Sequence, residues 1–357
     1  MGLLNVGKDR RGTLWPVKCL RFNQVPAIYR EPFIFTRYRS CRSSITSCIV
    51  SVSCLTNETL NFWTHFVPFL IFLVVTLQYA VDYAFVVDPF NWPMMVFLVS
   101  ICLYTLGSSM AHMFNSLSEV AYYICFFIDY GTVSIYIMGL SIAYNAYAFP
   151  PSLLNSIVHR IYLPMVFLLS LVFSATSCMS RLSRFAALRV HGRKITFPAY
   201  YFWCNMPLFY RAFYGSGHLP VTSSASSPAL AVADSHHITH GLFALATVVT
   251  YGTHFPEVFA PGRFDFIAHS HQLFHLSTVG LTYYQYSALL VEMRERRGDL
   301  EARCGSPTFD NTFLPFLADS FLQMVMIGYL AVWLMKPRQI IRIKHAQGVP
   351  TVPLKQE

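Results

Sequence analysis

Eight stretches of roughly twenty residues run through this chain almost without charge, and no soluble fold tolerates that pattern. They lie at about 62–81, 92–114, 123–147, 160–179, 196–214, 237–255, 266–290 and 313–335. A helix needs about 20 apolar residues to cross the ~30 Å hydrocarbon core of a bilayer. Inside that core each backbone polar group must be satisfied within its own segment, which favours helices. The expected fold is therefore all-α, a polytopic membrane helix bundle. Eight spans is the expected count and seven the alternative, because the fifth and sixth stretches contain Pro198, Pro207 and several histidines. Composition agrees: 12% of the 357 residues are charged, against about 25% in a soluble domain.

The charge that remains is segregated. Region 1–50 is basic, 51–335 holds the spans, and 336–357 is a second basic tail. The formal net charge is +9, but the basic residues flank apolar runs, so membrane orientation accounts for them and no nucleic acid is expected. With a cytoplasmic N-terminus, nine of the 26 Lys and Arg fall in the N-tail and five in the loop near 180–195. One more falls near 254–265 and five in the C-tail, all inside. The loop near 82–91 and the Ser-rich stretch 215–235 carry only acids and suit the outside. The positive-inside rule thus places both ends in the cytoplasm. The Asn57-Glu58-Thr59 sequon then stays unused. The nine cysteines are odd in number and form no C-x-x-C pair, so reduced thiols are expected. Cys41, Cys48 and Cys54 read as small apolar residues, with acylation as the alternative.

Within this topology a few polar residues fall at one depth. His112 ends the second span, Asp129 lies early in the third, and His271 and His275 open the seventh, all near the inner face. Ionisable groups inside a membrane segment are costly and mark functional sites by default. His271 and His275 are four apart and share a helical face. Zinc takes four ligands in structural sites and three protein ligands plus an open position in reactive ones. The expected metal ligands are His112, His271 and His275. Asp129 would orient the group in the fourth position, and Ser108, one turn before His112, would support it. Such a centre could attack an amide or ester. The plain alternative is interhelical hydrogen bonding. His269 points away from the pair and is expected at the interface. His236, His237 and His240 are expected at a solvated helix start, and Glu58, Asn61 and His65 in hydrogen bonds at a helix end.

These residues also carry a resemblance. Glu58-Thr59-Leu60-Asn61-Phe62-Trp63-Thr64-His65 is similar to the E-x-x-N-x-W-T-H signature of the progestin and adipoQ receptor family. Ser108 to Phe114, Asp129-Tyr130-Gly131, Pro261 to Asp265 and His269 to His275 resemble its other motifs in order. The similarity runs from about 24 to 335 and is nearest the membrane progestin receptor branch, gamma-like or delta-like. Arg37 and Ala268 stand where the family usually has Gly. The resemblance implies a seven-helix core with an eighth C-terminal helix, and a zinc ion near the cytoplasmic face on His112, His271 and His275. It also implies steroid binding at the plasma membrane and signalling linked to a heterotrimeric G protein. Family relatives are further linked to ceramide hydrolysis, so a zinc-dependent lipid amide hydrolase acting on sphingolipids is the alternative. In that case Asp129 and Ser108 would be catalytic. A rhodopsin-type receptor is disfavoured, since neither D-R-Y nor N-P-x-x-Y occurs in place.

Overall fold

The computed structural model describes residues 7–8, 14–15, 19–182, 186–214 and 228–336. The basic tail beyond 336 and the Ser-rich 215–227 lie outside the described residues. Apart from a two-residue ladder pairing Gly7–Lys8 with Leu14–Trp15, regular structure among the described residues is helical. The helices are α1 (Ile45–Ser51), α2 (Thr59–Asp82), α3 (Trp92–Phe114), α4 (Glu119–Ala143), α5 (Ile157–Leu182) and α6 (Ala186–Cys204). They continue with α7 (Met206–Tyr214), α8 (Pro228–Thr253), α9 (Ser270–Glu295), α10 (Arg297–Cys304) and α11 (Phe313–Leu334). A π turn, Tyr144–Ala148, extends α4.

Five of these segments are long and apolar enough to cross a membrane: Thr59–Asp82, Pro89–Phe114, Glu119–Ala148, Ile157–Leu182 and Phe313–Leu334. The chain is a multi-pass membrane protein. The other three expected spans correspond to α6–α7, α8 and α9. They are less apolar because they carry Arg211, three histidines near 236–240, His271, His275, Gln285 and Glu292. Two boundaries differ from expectation. Segment 196–214 is split at Asn205, because Pro207 lacks the N–H that would bond back into α6. The expected loop near 180–195 is instead largely the first half of α6. α8 begins nine residues early, with Pro228 at its first position, where a missing N–H costs nothing.

Packing follows a membrane logic. Apolar side chains such as Leu70, Ile71 and Val74 of α2 and Phe321, Met324 and Val325 of α11 point outward. Small and polar residues face inward, where lipid provides no hydrophobic drive and close contact holds helices together. α9 packs on α8 and on α2, α3 lies between α2 and α4, and α11 covers α4 and α5 from outside. Ser118 caps α4 by accepting from Ala121 N at 3.0 Å, with Glu119 in its first turn.

Part of the N-terminal region packs against the bundle. Residues 20–38 close on themselves through Leu20 and Tyr38 and pack on the loop ahead of α9. Asp265 accepts from Phe35 N at 3.0 Å and from Thr36 Oγ1 at 2.6 Å. Gly262 N donates to Phe33 O at 3.0 Å. Together these segments lid the end of the bundle where α3 finishes and α9 begins. Asn57 is buried there, so its sequon is not presented. Cys48 and Cys54 are likewise buried, which leaves them no room for acylation.

Candidate metal centre

α3 delivers His112 in its last turn and α9 delivers His271 and His275 in its first two. One ring nitrogen from each lies within 4.8 Å of the other two. His112 Nε2 and His271 Nε2 are 3.1 Å apart, and His271 and His275 have ring centroids separated by 4.6 Å. Two nitrogens on one tetrahedral zinc, with bonds of ~2.0–2.1 Å, would be about 3.3 Å apart.

The outer nitrogens of two rings are already engaged. His112 Nδ1 lies 2.7 Å from Glu58 Oε2. His275 Nδ1 lies 3.1 Å from Asn61 O and 2.9 Å from Thr64 Oγ1. A carboxylate and a carbonyl can only accept, so both Nδ1 atoms carry the proton, and both Nε2 atoms keep lone pairs. Metal-binding histidines are held in this way by their outer partners. The three residues therefore form a possible three-histidine metal group, and the tautomers of His112 and His275 fit a zinc ion.

Neighbouring elements fix the arrangement. Glu58, just ahead of α2, also accepts from Asn61 Nδ2 and Asn115 Nδ2, each at 2.9 Å. Burial alone would raise its carboxyl, but the hydrogen bond from His112, with Arg39 and Asn61, holds it below the usual carboxylate range. Buried Arg39 donates to His112 O at 2.6 Å and Met113 O at 2.8 Å, capping the end of α3. His65 stacks on His275 with centroids 3.8 Å apart and meets Thr278 Oγ1 at 3.2 Å. Glu257 accepts from Ser270 N at 2.7 Å, which ties down the first turn of α9. Ser108 is buried one turn before His112. It lies beside the half-buried Asp129 carboxylate, on which both Ser108 and His112 bear electrostatically.

Three expectations need correction. His269 is not interfacial: it is buried at the N-cap of α9, with Nε2 3.3 Å from Asn57 O. Burial pushes its imidazole below the ordinary value. His237 and His240 are not at a solvated helix start. α8 begins earlier, so both turn inward, His237 to Glu292 Oε1 at 3.0 Å and His240 to Asn205 Oδ1 at 3.3 Å. Glu58, Asn61 and His65 do more than finish a helix end, since they orient or wall the histidine group. The signal for Glu58 was its depth, which matches that of His112.

A profile described as haemolysin-III related matches residues 53–286. The chain belongs to that family, which is the progestin and adipoQ receptor family. Among its relatives, membrane progestin receptor gamma-A of Danio rerio is 39% identical over 307 residues, covering 81% of this chain and 87% of the relative. Membrane progestin receptor delta of Homo sapiens is 39% identical over 285 residues, covering 78% and 80%. Membrane progestin receptor alpha of Mus musculus is 28% identical over 320 residues, covering 88% and 89%. In this haemolysin-III-related chain the matched region takes in all three histidines, Glu58 and Asp129, and stops short of α11.

Proposed function

We propose that the chain is a plasma-membrane progestin receptor that holds a zinc ion at the cytoplasmic end of its bundle and signals without acting on genes directly, through a heterotrimeric G protein. The observation that carries the zinc assignment is the pair of Nδ1 anchors on Glu58 and Asn61, which leave lone pairs converging from α3 and α9. Bound there by His112, His271 and His275, zinc would tie α3 to α9 and supply Lewis acidity. The steroid assignment rests on the relatives named membrane progestin receptors. A progestin presents ketone oxygens, which only accept. Gln285 Nε2 on α9 is a fully buried donor without an acceptor, the kind of group a ligand ketone would satisfy. The cytoplasmic assignment rests on the basic residues Arg39, Arg181 and Arg193 near the histidine end. Eight spans then return the C-terminus to the same side.

A second reading has its own support. The Ser108–Asp129 pair sets a hydroxyl and a carboxylate beside His112, which suits a lipid amide hydrolase acting on ceramide-like sphingolipids. There Asp129 would hold a proton from the attacking group, and Ser108 would keep the carboxylate oriented.

One comparison tests both. Purified wild type and His271→Ala are compared for bound zinc, progesterone binding and fatty acid release from ceramide. Near-stoichiometric zinc in wild type and its loss in the variant are expected. Full zinc in the variant would refute the ligand set. Absence of saturable progesterone binding to wild type at micromolar ligand would refute the receptor reading, and zinc-loaded protein that releases no fatty acid would refute the hydrolase.

A further inference from the structure

The last span contains a carboxylate with no cation to balance it. Asp319 of α11 is fully buried, and among the described residues no basic side chain bears on it. Its Oδ1 accepts from Ser170 Oγ of α5 at 2.7 Å. Gln323, one turn further along α11, donates from Nε2 to the same Ser170 oxygen at 2.9 Å. Ser170 has one proton and gives it to Asp319, so it can only accept from Gln323. That fixes the amide orientation and directs Gln323 Oε1 away from Ser170. Two atoms are left over, Asp319 Oδ2 and Gln323 Oε1, both buried and without a partner. They lie on one face of α11, four residues apart. While Asp319 is ionised both are acceptors, and two acceptors cannot bond to each other.

The surroundings are rich in oxygen. Ser134 Oγ and Ser174 Oγ are 2.6 Å apart, and Ser134 Oγ also donates toward Ser170 O at 3.4 Å. Tyr200 OH of α6 donates to Ser134 O at 3.1 Å. Gly131 of α4 lets α11 close tightly at this level: a Cβ there would lie 2.6 Å from Ile327 Cδ1 and 3.9 Å from Gln323 Oε1.

A lone carboxylate in a membrane interior is expensive, so something positive must meet these acceptors. A set of oxygens alone selects a hard cation over zinc or copper. One carboxylate among neutral oxygens balances a single positive charge, whereas calcium and magnesium sites draw on more acidic ligands. We propose that Asp319 and Gln323 of α11, with the serine hydroxyls of α5 and α4, form a sodium site that fastens the eighth span to the bundle. Its two α11 residues lie beyond the matched residues 53–286 and its serines within them, and the site does not depend on the histidine group.

The test uses the full-length protein in detergent, with sodium chloride titrated against choline chloride at constant ionic strength and pH while thermal unfolding is followed. A ligand that binds only the folded state raises Tm in a concentration-dependent way. Wild type should show a saturable rise with sodium, and Asp319→Asn should lose it while keeping its Tm in choline. Ser170→Ala should fold and move the sodium midpoint upward about tenfold, the loss of one contact. Identical Tm in sodium and choline for wild type would mean that a proton alone holds the carboxyl, and the proposal fails. A wild-type sodium response in Asp319→Asn also refutes it. Should Asp319→Asn not fold, an unchanged sodium midpoint in Ser170→Ala overturns the proposal, and a raised one supports it.

Discussion

Two backbone positions near the histidine group carry a cost that sequence comparison only hinted at. Arg37 has φ 67° and Ala268 has φ 63°, the left-handed region that disfavours side chains with a Cβ and that glycine enters freely. The resemblance places Gly at both. At 268 the consequence is conformational. Ala268 N donates to Gln272 Oε1, and the residue turns the chain directly into the N-cap of α9. Ala268→Gly should therefore stabilise the fold by about 1 kcal/mol, the strain of one residue in this region less part of glycine's unfolded-state entropy. Thermal unfolding in detergent checks this: Tm should rise, and an unchanged or lower Tm would show that the loop bears no strain. Glu58 belongs to the same scale. Glu58→Gln keeps its shape but can present an N–H to His112 Nδ1, which removes the certainty of the tautomer. Second-partner changes of this sort typically cost 10–100-fold in metal affinity. Zinc titration against a competing chelator should show a loss in that range, with the fold retained.

At the scale of elements, the α3–α4 contact is the tightest the glycines reveal. A Cβ on Gly107 would meet Thr132 Oγ1 at 2.6 Å and Cγ2 at 2.8 Å. Both branches of the threonine are blocking, so no χ1 rotamer clears both. Gly107→Ala should cost about 1–3 kcal/mol as overpacking, and adding Thr132→Ala should recover most of it. Unfolding midpoints of the two single variants and the double would show this, and equal losses with and without Thr132 would refute the contact. Gly107 also lies one residue before Ser108, so the pair holds α3 at the depth the site needs. These helices were legible in the sequence because lipid imposes a long, uncharged run wherever a helix faces it. α2 to α5 and α11 obey that rule and were placed within a few residues. α8 was not, since its inward face carries His237 and His240, and a hydropathy pattern cannot tell a buried histidine from a solvated one. The histidine group was legible for the opposite reason: His112, His271 and His275 needed only depth and helical face to be brought together. Glu58 needed a contact between α3 and the start of α2, which no periodicity encodes.

Across the whole molecule, α9 joins two polar ends. At one end are His271 and His275. At the other, Glu292 is fully buried between Arg211 of α7 and His237 of α8, with Arg296 behind it donating to Tyr147 O and Phe149 O. Between them Tyr104 OH and Tyr136 OH meet Thr282 Oγ1 at 3.1 and 3.0 Å, and Tyr136 OH donates to Gln285. The far cluster is a buried ion network, and removing its carboxylate leaves Arg211 with Asp234 alone and takes the nearest counter-charge from Arg296. Such losses typically reach 3–5 kcal/mol. Glu292→Ala should therefore unfold at a much lower temperature than wild type, while Glu292→Gln, which still accepts from Arg211, should lose less. The two ends are about 25 Å apart along α9, at 1.5 Å per residue. They share no direct partner, and sites so far apart usually add within about 0.5 kcal/mol. The stability losses of His275→Ala and Glu292→Gln should thus sum in the double variant, measured by unfolding with and without a chelator. A shortfall well beyond that margin would mean that the Tyr–Thr–Gln chain couples the ends. In that case a ligand satisfying Gln285 would be felt at the histidine group.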